Sequence, residues 1–237
     1  MCGRFSLTLS PEFLATYFGL DAADLPSFQP SFNVAPTEQA PVLRMADGQK
    51  QLAVLRWGLT PHWADDPSIG NRMINARSET VASKPAFRSA FRQRRGIVAV
   101  DGFFEWLRKG KGPKQPYFIH HVESGQPLAL AALWEHWEGE TVQGAQPIES
   151  FTILTTEANA LVGKYHDRMP VVLRPEDFPR WLDSTSNAGD LKALLGPCNE
   201  ERLSAHPVST VVNKPGNKGA ECVAPVQGEL FSGKLGK

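Results

Sequence analysis

Seven short apolar runs, at residues 41–44, 52–59, 96–100, 117–121, 128–134, 151–155 and 171–173, read as β-strands. They follow one another too closely for regular βαβ units, which points to an α+β fold around a mostly antiparallel, curled sheet. Nineteen prolines and twenty glycines argue against a helical bundle. Helical signals are few. Ser10, Pro11 and Glu12 open a helix as N-cap, first-position proline and first-turn acid, and Gly19 closes it after an apolar face of Phe13, Leu14, Tyr17 and Phe18. Residues 78–95 read as helical with a break or fresh start at Pro85, and residues 174–182 and 190–195 read as short helices. Residues 20–30 and 61–70 read as loops, and no internal repeat is found. Beyond Pro225 the chain is rich in Gly and Lys, so a domain at residues 1–226 and a flexible tail at 227–237 are expected.

The formal net charge is zero, so the whole molecule exerts no pull on a polyanion, and any contact with nucleic acid rests on local cations. The cysteines Cys2, Cys198 and Cys222 are too few and too scattered for a zinc site or a disulfide framework. An odd cysteine count, no signal-peptide pattern and no apolar run of membrane-spanning length predict a cytoplasmic protein without a membrane partner.

The chemistry centres on Met1-Cys2-Gly3-Arg4-Phe5. An initiator methionine is normally removed before a small residue, which leaves Cys2 with a free α-amine and a thiol. Reference pKa values of about 7.7–8.0 and 8.5 give both groups a reactive minority form at neutral pH. The amine of such a 1,2-aminothiol condenses with an aldehyde to an imine, and the thiol closes a five-membered thiazolidine. Ring closure is intramolecular, a situation in which effective molarities reach about 10⁵ M or more.

Other segments carry polar groups in ordered surroundings. Asn75 and Arg77 share one face of an extended segment. Glu105 sits among aromatics in Asp101-Gly102-Phe103-Phe104-Glu105-Trp106, where burial would raise its pKa toward neutrality. His166 and Arg168 lie in a turn before a strand, and Pro36 and Trp63 lie at loop tips. Each also has a plainer reading: a turn residue, a strand end, a structural histidine, core aromatics. The run Arg88, Arg92, Arg94, Arg95 reads as a solvated helix face.

Together these segments resemble one family. Met1-Cys2-Gly3-Arg4-Phe5, Asn33-Val34-Ala35-Pro36, Trp57-Gly58-Leu59, Ile74-Asn75-Ala76-Arg77-Ser78-Glu79-Thr80, Asp101-Gly102-Phe103-Phe104-Glu105-Trp106, His166-Asp167-Arg168-Met169-Pro170 and His206-Pro207-Val208-Ser209 look like the motifs of the SRAP proteins, in that family's order and up to about Val226. This is the SOS-response-associated peptidase family, also called abasic-site processing proteins. The resemblance implies a single α+β domain around a twisted, barrel-like, mostly antiparallel sheet. It implies that Cys2 forms a thiazolidine with the ring-opened aldehyde of an abasic site, with Asn75, Glu105 and His166 as the other catalytic residues. Phosphate-contacting arginines fall on Arg4, Arg77 and Arg168. Asn33, Pro36 and Trp63 complete the expected DNA-facing set, Pro36 and Trp63 wedging or stacking against bases. Ser31 and Phe32 stand where the family often has Arg-Tyr, which puts one backbone contact in doubt.

The expected partner is therefore single-stranded DNA with abasic sites, bound by a monomer without metal or organic cofactor and held covalently to protect the lesion during repair and replication. An imine intermediate also permits β-elimination, a lyase activity. Two alternatives are a thiol peptidase, with Cys2, His166 and Glu105 as nucleophile, base and orienter and with self-cleavage of Met1 as one of its reactions, and a non-covalent reader of single-stranded or modified DNA. In the tail, Gln227, Leu230 and Phe231 resemble the short peptides that dock on the bacterial sliding clamp.

Overall fold

A computed structural model describes residues 2–21, 25–108, 113–139 and 146–226. The first sheet has five strands in the order β13-β8-β7-β1-β2: β1 Phe5–Leu7, β2 Ser31–Val34, β7 Gly102–Leu107, β8 Gln115–His121 and β13 Leu203–Pro207. The second has eight: β3 Gln39–Ala46, β4 Gln49–Trp57, β5 Asn75–Arg77, β6 Arg95–Val100, β9 Leu128–Trp137, β10 Ile148–Glu157, β11 Arg168–Pro170 and β12 Val172–Leu173. Within it β4, β3, β6, β9 and β10 pair in succession, and β10 returns to β4, so these strands form a twisted ring. Pairing is antiparallel except where β10 runs parallel to β4 and β5. This is the α+β class and the mostly antiparallel pairing expected from the sequence. Among the described residues no helix is long and apolar enough to cross a membrane. The clamp-like residues Gln227, Leu230 and Phe231 lie outside the described residues.

Period-2 alternation divides the core into two layers. Leu43, Ile97, Ala99, Ala131 and Leu133 point to one face of the ring, where α1 Pro11–Phe18, α2 Pro85–Gln93, α3 Phe178–Leu182 and α4 Ala188–Ala193 pack. Val42, Val98, Val100, Leu130 and Ala132 point to the other, against Cys2, Phe5 and Phe103 of the five-stranded sheet. The two sheets meet at Asp101, the single residue between β6 and β7. Its carboxylate accepts from Ser6 Oγ at 2.7 Å, Thr8 N–H at 2.8 Å and Thr8 Oγ1 at 3.1 Å, which pins the N-terminal strand to the corner. Gly102 follows it, and a Cβ there would lie 2.4 Å from Ile119 O, so this corner admits only glycine.

The first helix begins and ends where its capping residues require. Ser10 Oγ accepts from Phe13 N–H, and Gly19 adopts φ 65°. The expected helix over residues 78–95 is shorter: residues 78–84 are a series of turns, and α2 starts afresh at Pro85. The supposed solvated arginine face also divides. Arg88 and Arg92 are exposed, Arg94 bonds the buried carboxylate of Glu135, and Arg95 is buried at the head of β6.

Candidate active site

Cys2 is fully buried just before β1. The β1–β7 register pairs Phe5 with Phe103, and Phe104 N–H donates to Arg4 O at 3.0 Å. One residue further along each strand, that register brings Glu105 beside Gly3 and hence beside Cys2. Burial pushes the Cys2 thiol up to about 12, and the charge of Glu105 adds to the rise. Burial also holds Glu105 above the usual carboxylate range, against the opposing pull of the chain's N-terminal amine and His166.

Asn75 reaches the same place from the other sheet. The chain leaves β10 at Trp57, makes the 58–74 excursion, and rejoins β10 when Asn75 pairs with Ile153. Trp57 Nε1 donates to Ile74 O at 2.9 Å and fixes the point of return. Asn75 Nδ2 donates to Cys2 O at 2.8 Å. Among the described residues its Oδ1 is buried without a hydrogen-bond partner, a condition that costs roughly 1–3 kcal/mol. An unused acceptor thus lies on the side chain that holds the cysteine's own carbonyl.

His166 follows a tight turn in which the N–H groups of Tyr165 and His166 both donate to Val162 O. Arg168 N–H donates to His166 Nδ1 at 2.9 Å, while Asp167 Oδ1 lies 2.7 Å from the same nitrogen. Neutral imidazole cannot accept and donate at one nitrogen. The backbone donor is fixed by the chain, whereas the Asp167 side chain is 84% exposed and free to turn to water. The fixed backbone donor suits the tautomer with Nδ1 as acceptor and the proton on Nε2.

The six expected DNA-facing residues divide. Arg77 is exposed and makes no side-chain hydrogen bond among the described residues. Trp63 is 49% exposed, on a loop tied down where Trp137 Nε1 donates to Ala64 O at 2.7 Å. Pro36 is half-buried in the turn between β2 and β3, next to Thr37 with φ 74°. Arg168 is already engaged: its Nη atoms meet the Glu79 carboxylate at 2.5 and 3.0 Å, and Nη2 meets Thr155 O at 2.6 Å. Arg4 and Asn33 turn inward. Arg4 Nη1 donates to Asn33 Oδ1 at 2.7 Å and Val212 O at 2.9 Å. Asn33 is fully buried, and its Nδ2 donates to the carbonyls of Val212, Lys214 and Asn217. These two side chains hold residues 212–217 against the N-terminal strand. Among the described residues no cluster of three or more His, Cys, Asp or Glu is placed to hold a metal. Sequence reasoning missed Asp101, which anchors the N-terminal strand, and the tyrosines Tyr117 and Tyr165 beside the site.

The two sheets of this α+β fold together seat the Cys2 thiol beside the buried Glu105 carboxyl. The SOS response associated peptidase (SRAP) family model matches residues 1–215, and the chain belongs to that family. It is 40% identical over 223 residues to abasic site processing protein YoaM of Bacillus subtilis (strain 168), covering 93% of this chain and 96% of that protein. It is 38% identical over 226 residues to abasic site processing protein YoqW of the same organism, covering 94% and 99%. A solved structure from Bacteroides thetaiotaomicron shares the fold with TM-score 0.84 at 24% identity, covering 95% of this chain and all of that one.

Proposed function

We propose that this protein captures abasic sites in single-stranded DNA as a covalent thiazolidine on Cys2, after loss of Met1. The observation that carries the reading is the setting of Cys2: fully buried, beside Glu105, its carbonyl held by Asn75 and a free acceptor on that same amide. Loss of Met1 turns the Cys2 amide nitrogen into an amine, a new donor on the residue whose carbonyl Asn75 holds. The relatives' names, abasic site processing protein, point the same way.

An abasic sugar is mostly a closed hemiacetal. Nε2–H of His166 is the donor suited to its ring oxygen as the aldehyde opens. The neutral Cys2 amine attacks C1′ and gives a carbinolamine. Glu105, whose hold on a proton burial strengthens, protonates the departing hydroxyl, so that water and a protonated imine form. A thiol pushed up to about 12 stays protonated at neutral pH, so the amine reacts first. Glu105, now a carboxylate, takes the thiol proton as sulfur adds to the imine carbon, and the π electron pair settles on the already protonated nitrogen. The balance is aldehyde plus aminothiol giving thiazolidine plus one water. β-Elimination from the imine would account for a lyase side reaction. A thiol peptidase needs a thiolate at neutral pH, and burial of Cys2 opposes that reading.

The test is a denaturing gel of the mature protein with abasic and intact single strands. A heat-resistant adduct is expected with the abasic strand alone, and none with Cys2→Ala or with an extra residue ahead of Cys2. An undiminished adduct in Cys2→Ala would overturn the mechanism.

Phosphate binding gives a second expectation. Arg77→Ala should weaken binding to all sequences about equally and flatten the log–log salt dependence by roughly 0.7. A phosphate reaching Arg168 must share or displace the Glu79 carboxylate, so Arg168→Ala should lose less affinity than Arg77→Ala. Salt titrations of the two variants decide, and a larger loss for Arg168→Ala contradicts the ranking.

A further inference from the structure

Two tyrosines absent from that mechanism adjoin its proton-transfer groups. The β7–β8 register sets Tyr117 directly opposite Glu105, on the same face of the sheet. Cβ atoms of such cross-strand partners lie about 4.5–5.5 Å apart. Tyr165 immediately precedes His166 in the turn that closes on Val162 O. The two rings meet with centroids 4.5 Å apart at 36°. Both side chains are half-buried, and neither phenol oxygen makes a hydrogen bond among the described residues. Exposure rises along the site, from Cys2 at 0% through Glu105 at 4% to the His166 side chain at 35%. The ring pair, half-buried itself, lies between the buried Glu105 and the more exposed His166 in register and sequence.

We propose that Tyr117 and Tyr165 form a stacking platform for the nucleobase next to the lesion, an inference that rests on the abasic-site reading above. A strand that delivers a baseless sugar to a buried cysteine must bend sharply, and the neighbouring nucleotide leaves its own stack. An aromatic surface beside the reacting sugar replaces that stacking with a π-face that any base can use, so the contact selects for a base being present and not for its identity. Phenol groups with no hydrogen-bond partner fit a role for the rings rather than the hydroxyls. Tyr165, on a turn rather than in a sheet, is the member able to adjust to the base, and Tyr117 backs it from the β8 strand.

The probe is a single strand with a tetrahydrofuran at the lesion position, which cannot crosslink, and its Kd for the full mature protein is read by fluorescence anisotropy. Companion strands replace the 5′ or the 3′ neighbour with a second tetrahydrofuran. Tyr165→Ala should weaken binding of the fully flanked strand about 5- to 150-fold, the span of one base–aromatic stack. It should have no effect on one of the two strands that lack a neighbour. Tyr165→Phe should bind like the parent. Tyr117→Leu gives a second reading of the platform, and thermal melts confirm that both variants are folded. A Tyr165→Ala loss of equal size on all three strands would make the rings mere packing and overturn the inference. So would no loss at all, or a Phe variant as weak as the Ala one. If the parent crosslinks abasic DNA yet ignores the neighbouring base, the platform alone is wrong. If the parent neither binds these strands nor forms the adduct, the abasic-site reading falls and the platform falls with it.

Discussion

Glu105→Gln is expected to slow adduct formation by roughly 10²–10⁴, the usual effect of losing a general acid–base group. The substitution keeps the side chain's shape and removes only its proton traffic. Because Glu105 is 4% exposed, affinity for undamaged single strands should stay near the parent value. A single-turnover gel time course at saturating DNA measures the step, and crosslinking at the parent rate would make Glu105 a structural residue. Stability gives an independent control. Burial raises the folded-state pKa of Glu105 above its unfolded value. Its contribution to stability is therefore full below the ordinary carboxylate pKa and is lost as pH rises through the raised one. Glutamine escapes that loss, so Glu105→Gln should melt higher than the parent at neutral and alkaline pH while reacting more slowly. The same reasoning predicts that the parent's adduct formation declines on the alkaline side as Glu105 loses its proton, and that the variant lacks this decline.

The largest effect on stability is expected at Arg95, far from the chemistry. Its guanidinium is buried and aimed at four carbonyls, all at 2.6 Å: Nε to Trp181 O, Nη1 to Phe91 O and Arg92 O, and Nη2 to Asp183 O. They lie where α2 and α3 end, at the negative poles of both helices; among the described residues three have no other donor, and Asp183 O also accepts from Ser186 N–H at 3.0 Å. The cation also lies 5.9 Å from the centre of the Trp181 ring. Arg95→Ala leaves the buried carbonyls of Phe91 and Trp181 without a donor and removes the cation that ties the two helix ends together, and should cost about 3–5 kcal/mol, as breaking a buried charged network does. Arg95→Lys should recover only part, since an ammonium has three donors at one point and cannot span both helix ends. Urea unfolding at 25 °C decides, and a loss below about 1 kcal/mol for Arg95→Ala would contradict the clamp. Read in sequence, Arg95 is one more member of an arginine run. Its burial follows from β6 starting immediately after the helix, and nothing local to residues 88–95 signals where that strand begins.

The same contrast runs through the fold. The cap, proline and glycine that bound α1 act within a few residues of one another, and the helix lies where they require. The strand register that sets Glu105 beside Cys2 depends on Asp101 binding Ser6 and Thr8, more than ninety residues away in the chain. No local pattern contains that contact, and β1, β2 and β13 are too short and too mixed in polarity to announce themselves. The residues around Cys2 were legible as types in motifs rather than as a geometry. Asn33 and Arg4 show the limit of that reading, because the fold turns both inward onto residues 212–217. Tyr117 and Tyr165 show the converse: a lone aromatic in a sequence reads as core until a partner strand places it beside a carboxyl.

The most direct test of the central claim is the intact mass of the protein after mixing with an abasic single strand. The account predicts one new species, at the mass of the chain without Met1 plus the oligonucleotide minus one water, surviving borohydride-free denaturation and mapping to Cys2. A species that retains Met1, attaches to a lysine, or persists in Cys2→Ala would contradict it.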